Sequence, residues 1–279
     1  PKAVFNTAFG VIITTNTFEF FLEKAMTLSD YVVMITPKAV LNTPEFRKTR
    51  DLLATKKIDC IQDYGENGFK GVLVETICLF VGTNEKPNET KVESLTLKKT
   101  VVQKQKYITD KEYPYWIIYR NDFFDKIAKR LTFDVFTVFR DRQITNKLLS
   151  AQGDIRVVKS RNINDSGTQI VNIEGYDSYI SADNARQLSV YAYYETDNVY
   201  LTPNMTYKPR LIKKPPYVLV NGSVAILTLK DGYKINETQR GYFSTDEYRA
   251  FYKIARNYQT RSLNVDSNSV FFFGLLKEV

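Results

Sequence analysis

The stretch DYGENGFKGVLVETICLFV, Asp63 to Val81, decides how this chain is read. Its glycine-rich first half presents one aromatic, Phe69, between Gly68 and Gly71, and then runs into an almost uninterrupted apolar strand, Val72 to Val81. A Phe so placed at the end of a sheet either plugs an apolar gap or offers a flat face to a planar ligand such as a nucleobase. A strand over Ile58 to Gln62 precedes the loop with no helix between, so the two strands are expected to pair as an antiparallel hairpin.

Upstream of the hairpin, Asn16-Thr17 offers an N-cap. Phe18, Phe21, Leu22, Ala25 and Met26 then follow at helical spacing, with Glu19, Glu23 and Lys24 expected outside. Tyr31 to Ile35, YVVMI, reads as a strand buried on both faces. Thr43-Pro44 opens a second helix to about Thr55, with Glu45 near its N-terminus. Helix, strand, helix, strand with short joints is the second half of a doubly wound α/β sheet. Downstream, Lys91 to Ile108 is lysine-rich and loosely alternating, an edge strand or exposed ribbon. Asp110 to Pro114 marks the expected boundary between a first domain, 1–112, and a second, 113–279. The second domain shows a helix near Asn121 to Leu131, strand-like runs at Ile155 to Val158, Gln169 to Ile173 and Tyr217 to Leu229, and a helix near Thr245 to Arg256. This spacing is that of an α+β domain rich in loops.

Composition removes whole classes of chemistry. The 279 residues contain no His and two Cys, so no Ser/His/Asp or Cys/His nucleophile and no zinc site can be assembled from them. Cys60 and Cys78 lie in expected strands and read as inert, reduced thiols. Neither a Gly-x-Gly-x-x-Gly fingerprint nor a Walker phosphate loop is present. Glu89-Thr-Lys91 has the Glu-x-Lys form of many nucleases, but it sits in a polar loop beside Pro87. No apolar run is long enough to cross a membrane and no basic-then-apolar leader opens the chain, from which a soluble cytoplasmic protein is expected. Without such a leader, the Asn-x-Ser/Thr triplets at Asn88 and Asn221 read as chance. The start at Pro1, without Met and almost directly into a helix, reads as the later part of a longer polypeptide. Residues 1–112 carry 16 Lys/Arg against 14 Asp/Glu, and residues 113–279 carry 23 against 17, so most of the net +8 lies in the second half and suits a polyanionic partner.

Three pieces stand in fixed order: FEFFLEKAM, YVVMITPKAVLNTPEFRKTRDLL and DYGENGFKGVLVETICLFV. Together they resemble the later motifs of the N6-adenine DNA methyltransferases of bacterial restriction-modification systems, in the subgroup whose S-adenosylmethionine motifs precede the catalytic motif. The resemblance covers about residues 15–82 and implies the second half of a Rossmann-like methyltransferase sheet ending in an antiparallel hairpin. In that family the target adenine is flipped out of the duplex and held between two aromatics, one of them in the loop before the last hairpin strand. Phe69 matches that position. The other belongs to an Asn/Asp-Pro-Pro-Tyr/Phe motif that this chain lacks. Asn6-Thr7-Ala8-Phe9 stands roughly where it could be, without either proline, and Lys213 to Tyr217 contains Pro-Pro-Tyr but in the wrong domain and after Lys. The resemblance therefore implies a fragment whose methyl donor, S-adenosylmethionine, is bound mainly by a missing N-terminal part.

The second half then resembles a target-recognition domain. Lys159, Arg161, Asn162 and Asn164, then Lys208, Arg210, Lys213 and Lys214, and finally Arg261 and Asn264 are its candidate DNA contacts. Arg forks onto guanine or phosphate, Asn pairs with adenine edges, and Lys neutralises phosphates. The implied function is sequence-specific adenine-N6 methylation of double-stranded DNA, with a restriction endonuclease or an N-terminal catalytic part as further partners. The alternative is a non-catalytic DNA-binding specificity subunit that keeps the methyltransferase-like half as a scaffold.

Overall fold

The computed structural model describes residues 16–206, 208–259 and 264–277. The chain divides into two compact units, Pro1–Asn121 with Ile254–Ser262, and Asp122–Lys253 with Leu263–Val279. The fold is mixed α/β with several sheets, mostly antiparallel.

The first unit is built on strands β1 (Tyr31–Pro37), β2 (Lys57–Gly65), β3 (Thr76–Gly82), β4 (Glu89–Ser94) and β5 (Lys99–Lys104), in the order β1-β3-β2-β4-β5. The expected hairpin is present: β2 and β3 pair antiparallel, with Asp63 opposite Ile77. Because β3 is also antiparallel to β1, and β2 is parallel to β4, strands β1, β2 and β4 all run the same way. A crossover containing helix α2 (Arg47–Ala54) joins β1 to β2. Helix α1 (Thr17–Leu28) precedes β1.

One face of this sheet is a core, with Val32, Ile58, Ile61, Ile77, Leu79, Val81 and Val92 buried. Three expectations change here. β1 is not buried on both faces, since Tyr31, Val33 and Ile35 are exposed. An apolar run tells a strand's content but not what lies against each side of it. β3 begins at Thr76 rather than Val72, because Gly71 turns the chain at φ 78° and leaves Val72, Leu73 and Val74 exposed and outside the ladder. In α1 the inward face carries Phe20, Leu22 and Glu19, while Phe21 points out. The Thr49 hydroxyl on α2 donates to the Glu19 carboxylate, which gives the buried acid a polar partner. The lysine-rich ribbon is the β4–β5 hairpin, with β5 at the sheet edge.

The second unit contains α4 (Asp122–Ala128), α5 (Asp246–Ala255, through Lys253) and three small sheets, after a short α3 (Gln105–Ile108) in the first. Strands β6 (Leu131–Thr132), β7 (Phe136–Arg140), β8 (Ile155–Val158), β9 (Ser178–Ile180), β10 (Tyr200–Pro203), β11 (Ile212–Lys213), β12 (Val218–Val220), β13 (Val224–Leu229) and β14 (Leu275–Leu276) form them. Their orders are β11-β10-β13-β7, β12-β8-β9 and β14-β6. Ile155, Val157, Leu201, Leu219 and Ile226 belong to one apolar core. Aromatics form another cluster, in which Phe124 stacks on Phe251 with centroids 4.8 Å apart. The run Gln169 to Ile173 makes no strand, only an isolated bridge from Ile170 to Ile163.

The two faces of the first sheet are expected to respond differently to substitution. Leu79→Ala should destabilise by about 2–5 kcal/mol, whereas Val33→Lys on the open face should stay within about 0.5 kcal/mol of the parent. Urea denaturation of both variants measures the contrast.

Candidate nucleic-acid interface

Strands β1, β2 and β4 end at one edge of their sheet, where α/β sheets place ligands. The loop from Gly65 to Glu75 leaves the sheet there, between β2 and β3. Phe69 stands near its tip with 48% of its surface exposed, so it fills no core gap. Two local bonds shape the loop, Asn67 N–H to the Tyr64 carbonyl at 3.0 Å and Val72 N–H to the Phe69 carbonyl at 3.3 Å. Gly68 packs closely on Thr76: a Cβ there would lie 2.1 Å from Thr76 Oγ1 and would force that side chain to move. Val72, Leu73 and Val74 continue the exposed apolar surface along the loop.

Beneath the loop lies a buried polar group that the sequence did not announce. Lys38 Nζ donates to Asp63 Oδ2 at 2.6 Å, and the Tyr119 hydroxyl donates to the same oxygen at 2.5 Å. Asp63 Oδ1 accepts the Gly65 N–H at 2.9 Å. Burial, and then the Asp63 carboxylate, push the Tyr119 phenol well above its usual range, so it stays a proton donor. Lys38 is the Lys of the Pro-Lys pair after β1; that pair was the available signal, without a partner to give it meaning.

In the second unit the structure separates the candidate contacts. Asn162 is fully buried: its Oδ1 accepts the Lys159 N–H, and its Nδ2 donates to the Val171 carbonyl and Asp177. Asn164 Oδ1 accepts the N–H groups of Thr168 and Gln169, closing a turn. Arg210 is buried and donates to the carbonyls of Ile163 and Lys208, and burial lowers its pKa. Lys214 is also buried and donates to the carbonyls of Tyr194, Thr196 and Pro215 at 3.2, 3.2 and 2.8 Å. Asn264 accepts from Asn204 Nδ2 at 2.9 Å. These five side chains hold loops together. Lys208 and Lys213 are exposed, each facing one carboxylate, Asp165 at 2.9 Å and Asp197 at 3.5 Å. Arg261 and the tetrapeptide Asn6 to Phe9 lie outside the described residues.

Lys159 and Arg161 converge on a residue the sequence did not single out, Tyr176. Lys159 Nζ lies 3.9 Å and Arg161 Cζ 4.7 Å from its ring centroid. Lys159 also donates to Ser178 Oγ at 2.9 Å, and burial lowers its pKa. Arg161 is exposed, and no carboxylate pairs with it among the described residues. An aromatic face beneath a guanidinium fixes its plane and leaves its donor edge open.

Other features carry less chemistry. Lys91, of the Glu-x-Lys triplet, pairs with Glu93. Among the described residues no group of three or more His, Cys, Asp or Glu could hold a metal ion, and no helix is long and apolar enough to cross a membrane. Cys60 and Cys78 are free, and burial pushes the Cys60 thiol up to about 11, which keeps it protonated and unreactive at neutral pH.

No family model and no curated protein matches this sequence. Among solved structures, the chain is similar to the type IIG restriction endonuclease BpuSI, at 10% identity and a TM-score of 0.35, over 94% of this chain and 42% of that one. It is also similar to the ATP-dependent type ISP restriction-modification enzyme LlaBIII bound to DNA, at 11% identity and a TM-score of 0.42, over 91% of this chain and 26% of that one. The chain thus spans less than half the length of either. Likeness at these values establishes neither the fold nor the activity of this chain.

Lys214 supplies a pH signature. Burial lowers its pKa from 10.5 to about 8, so between those values the unfolded chain binds more protons than the folded one and stability rises with pH. Below pH 8 both states are protonated and the slope vanishes. Urea denaturation of the parent and of Lys214→Met from pH 7 to 10.5 should show the parent gaining relative to the variant only above about pH 8.

Proposed function

We propose that this chain is the later part of a sequence-specific DNA adenine-N6 methyltransferase of a restriction-modification system. It would comprise the end of the catalytic domain followed by a target-recognition domain. The observation that carries the reading is Phe69, half-exposed on a loop outside the carboxyl ends of three parallel strands. Flipping an adenine forfeits stacking and pairing worth a few kcal/mol, and an aromatic face returns about 1–3 kcal/mol per stacked base. The antiparallel β2–β3 hairpin expected from the sequence motifs supports this reading, but it does not end the sheet, which continues beyond β2 into β4 and β5.

The open face of the sheet supports a missing catalytic part. Parallel strands joined by helical crossovers are ordinarily covered on both sides. Here Tyr31, Val33 and Ile35 lie bare along β1, whose outer edge pairs with no strand among the described residues. More chain, adding strands beyond β1 and helices over that face, would complete the sheet. Lys38, the residue after β1, is engaged with Asp63 and so is not free to meet S-adenosylmethionine. In this reading the donor site belongs to an upstream part, as the sequence motifs imply. In the second unit, Arg161 on Tyr176 is the best-placed group for a base edge or phosphate, and Lys208 and Lys213 could exchange a carboxylate for a phosphate.

Methylation of mixed-sequence duplex DNA with tritiated S-adenosylmethionine tests the reading, comparing this chain with its upstream-extended reading frame. Activity in the extended protein supports it; DNA binding without methylation in either favours the specificity-subunit alternative. Phe69→Ala should weaken capture of an adenine opposite an abasic site by roughly 1–3 kcal/mol with little change in thermal stability. Arg161→Ala should weaken duplex binding by about 1–3 kcal/mol, measured by fluorescence anisotropy.

A further inference from the structure

The loop that carries Phe69 is closed at both ends by one buried ion pair. Its first residue, Gly65, donates its N–H to Asp63 Oδ1 at 2.9 Å. The carbonyl of its last, Glu75, accepts the backbone N–H of Lys38 at 2.8 Å. Lys38 Nζ then reaches Asp63 Oδ2 at 2.6 Å, so the two anchors are joined to each other across β3. Both carboxylate oxygens are engaged, and the second also takes the Tyr119 hydroxyl.

Tyr119 is itself held firmly. The neighbouring Ile118 N–H donates to Asn257 Oδ1 at 2.8 Å, Asn257 Nδ2 donates to the Trp116 carbonyl at 2.7 Å, and the Tyr258 ring meets Tyr119 edge-on at 5.3 Å. Asn257 and Tyr258 both sit at positive φ, 51° and 52°, a conformation non-glycine residues adopt rarely and only where their surroundings impose it. Lys38, Asp63 and Tyr119 come from three separate segments and meet only at the root of this loop.

We propose that Lys38, Asp63 and Tyr119 form a clamp that positions Phe69 to receive an unpaired nucleobase, with Tyr119 a positioning residue acting through Asp63. The proposal rests on the reading of Phe69 as a stacking residue. A clamp sets where the ring stands before the base arrives, so its loss should lower base capture without lowering general affinity for DNA.

The test uses the full 279-residue chain and two duplexes, one fully paired and one with adenine opposite an abasic site, and reads the ratio of the two affinities. Tyr119→Phe removes only the hydroxyl. It is expected to reduce the preference for the abasic-opposed duplex about tenfold, the scale of a hydrogen bond to a charged group, with paired-duplex affinity unchanged. Phe69→Ala should abolish the preference. If Phe69→Ala abolishes it while Tyr119→Phe keeps it whole, the clamp is overturned and the stacking reading survives. If the parent shows no preference, or Phe69→Ala retains it, the stacking reading fails and takes the clamp with it. Loss of both affinities in proportion marks a merely structural role and also overturns the clamp. Should Tyr119→Phe fail to fold, Asp63→Glu keeps the charge and displaces it by one methylene. A lowered preference there supports the clamp, and an unchanged one overturns it.

Discussion

A lysine and an aspartate that have left water govern the end of the first unit's sheet from which the Phe69 loop departs. Lys38 and Asp63 retain 1% and 0% of their side-chain exposure. Desolvating two such ions costs several kcal/mol each, and their attraction repays this only where geometry is close and the remaining polar atoms are satisfied. Both conditions hold for Asp63, whose oxygens take an ammonium, a phenol and a backbone N–H. A well-packed apolar pair would give comparable stability. What the ion pair adds is direction: it locks the ends of β1 and β2 together across the strand between them, and with them both ends of one loop.

The second unit applies the same device to its loops. Lys214 gathers three carbonyls and Arg210 at least two, each cation standing where a turn would otherwise bury unpaired acceptors. This is why a surplus of positive charge in the sequence does not translate directly into an anion-binding surface. Charge can be counted from composition, but burial decides whether a cation faces outward. Arg161, laid on Tyr176, is the contrasting case: its guanidinium lies against an aromatic face while the residue as a whole stays exposed.

Legibility followed the range of the interactions. The β2–β3 hairpin and the helix at Asp246–Ala255 were readable because both rest on elements adjacent in the sequence, two strands with no helix between them and one short helical run. What covers a strand is a long-range matter, so β1 read as doubly buried although Val33 and Ile35 are bare. Glu19 read as exposed because its partner, Thr49, lies on another helix. The root of the Phe69 loop was hidden for the same reason, since Lys38, Asp63 and Tyr119 are far apart in sequence and none of them is unusual alone. The left-handed pair Asn257-Tyr258 carries no glycine to mark it.

Magnitudes explain why an anchored root matters to an exposed ring. Stacking one base on one aromatic returns about 1–3 kcal/mol. Ordering a free backbone costs about 1–2 kcal/mol per residue, and nine residues lie between Gly65 and Glu75. A loop that became ordered only on meeting its ligand would lose several times what its single Phe could gain. An aromatic at such a tip is useful only when the loop is already fixed in the free protein. Buried ions at the root, a glycine where a Cβ would displace Thr76, and two local backbone bonds near the tip fix the loop in this way.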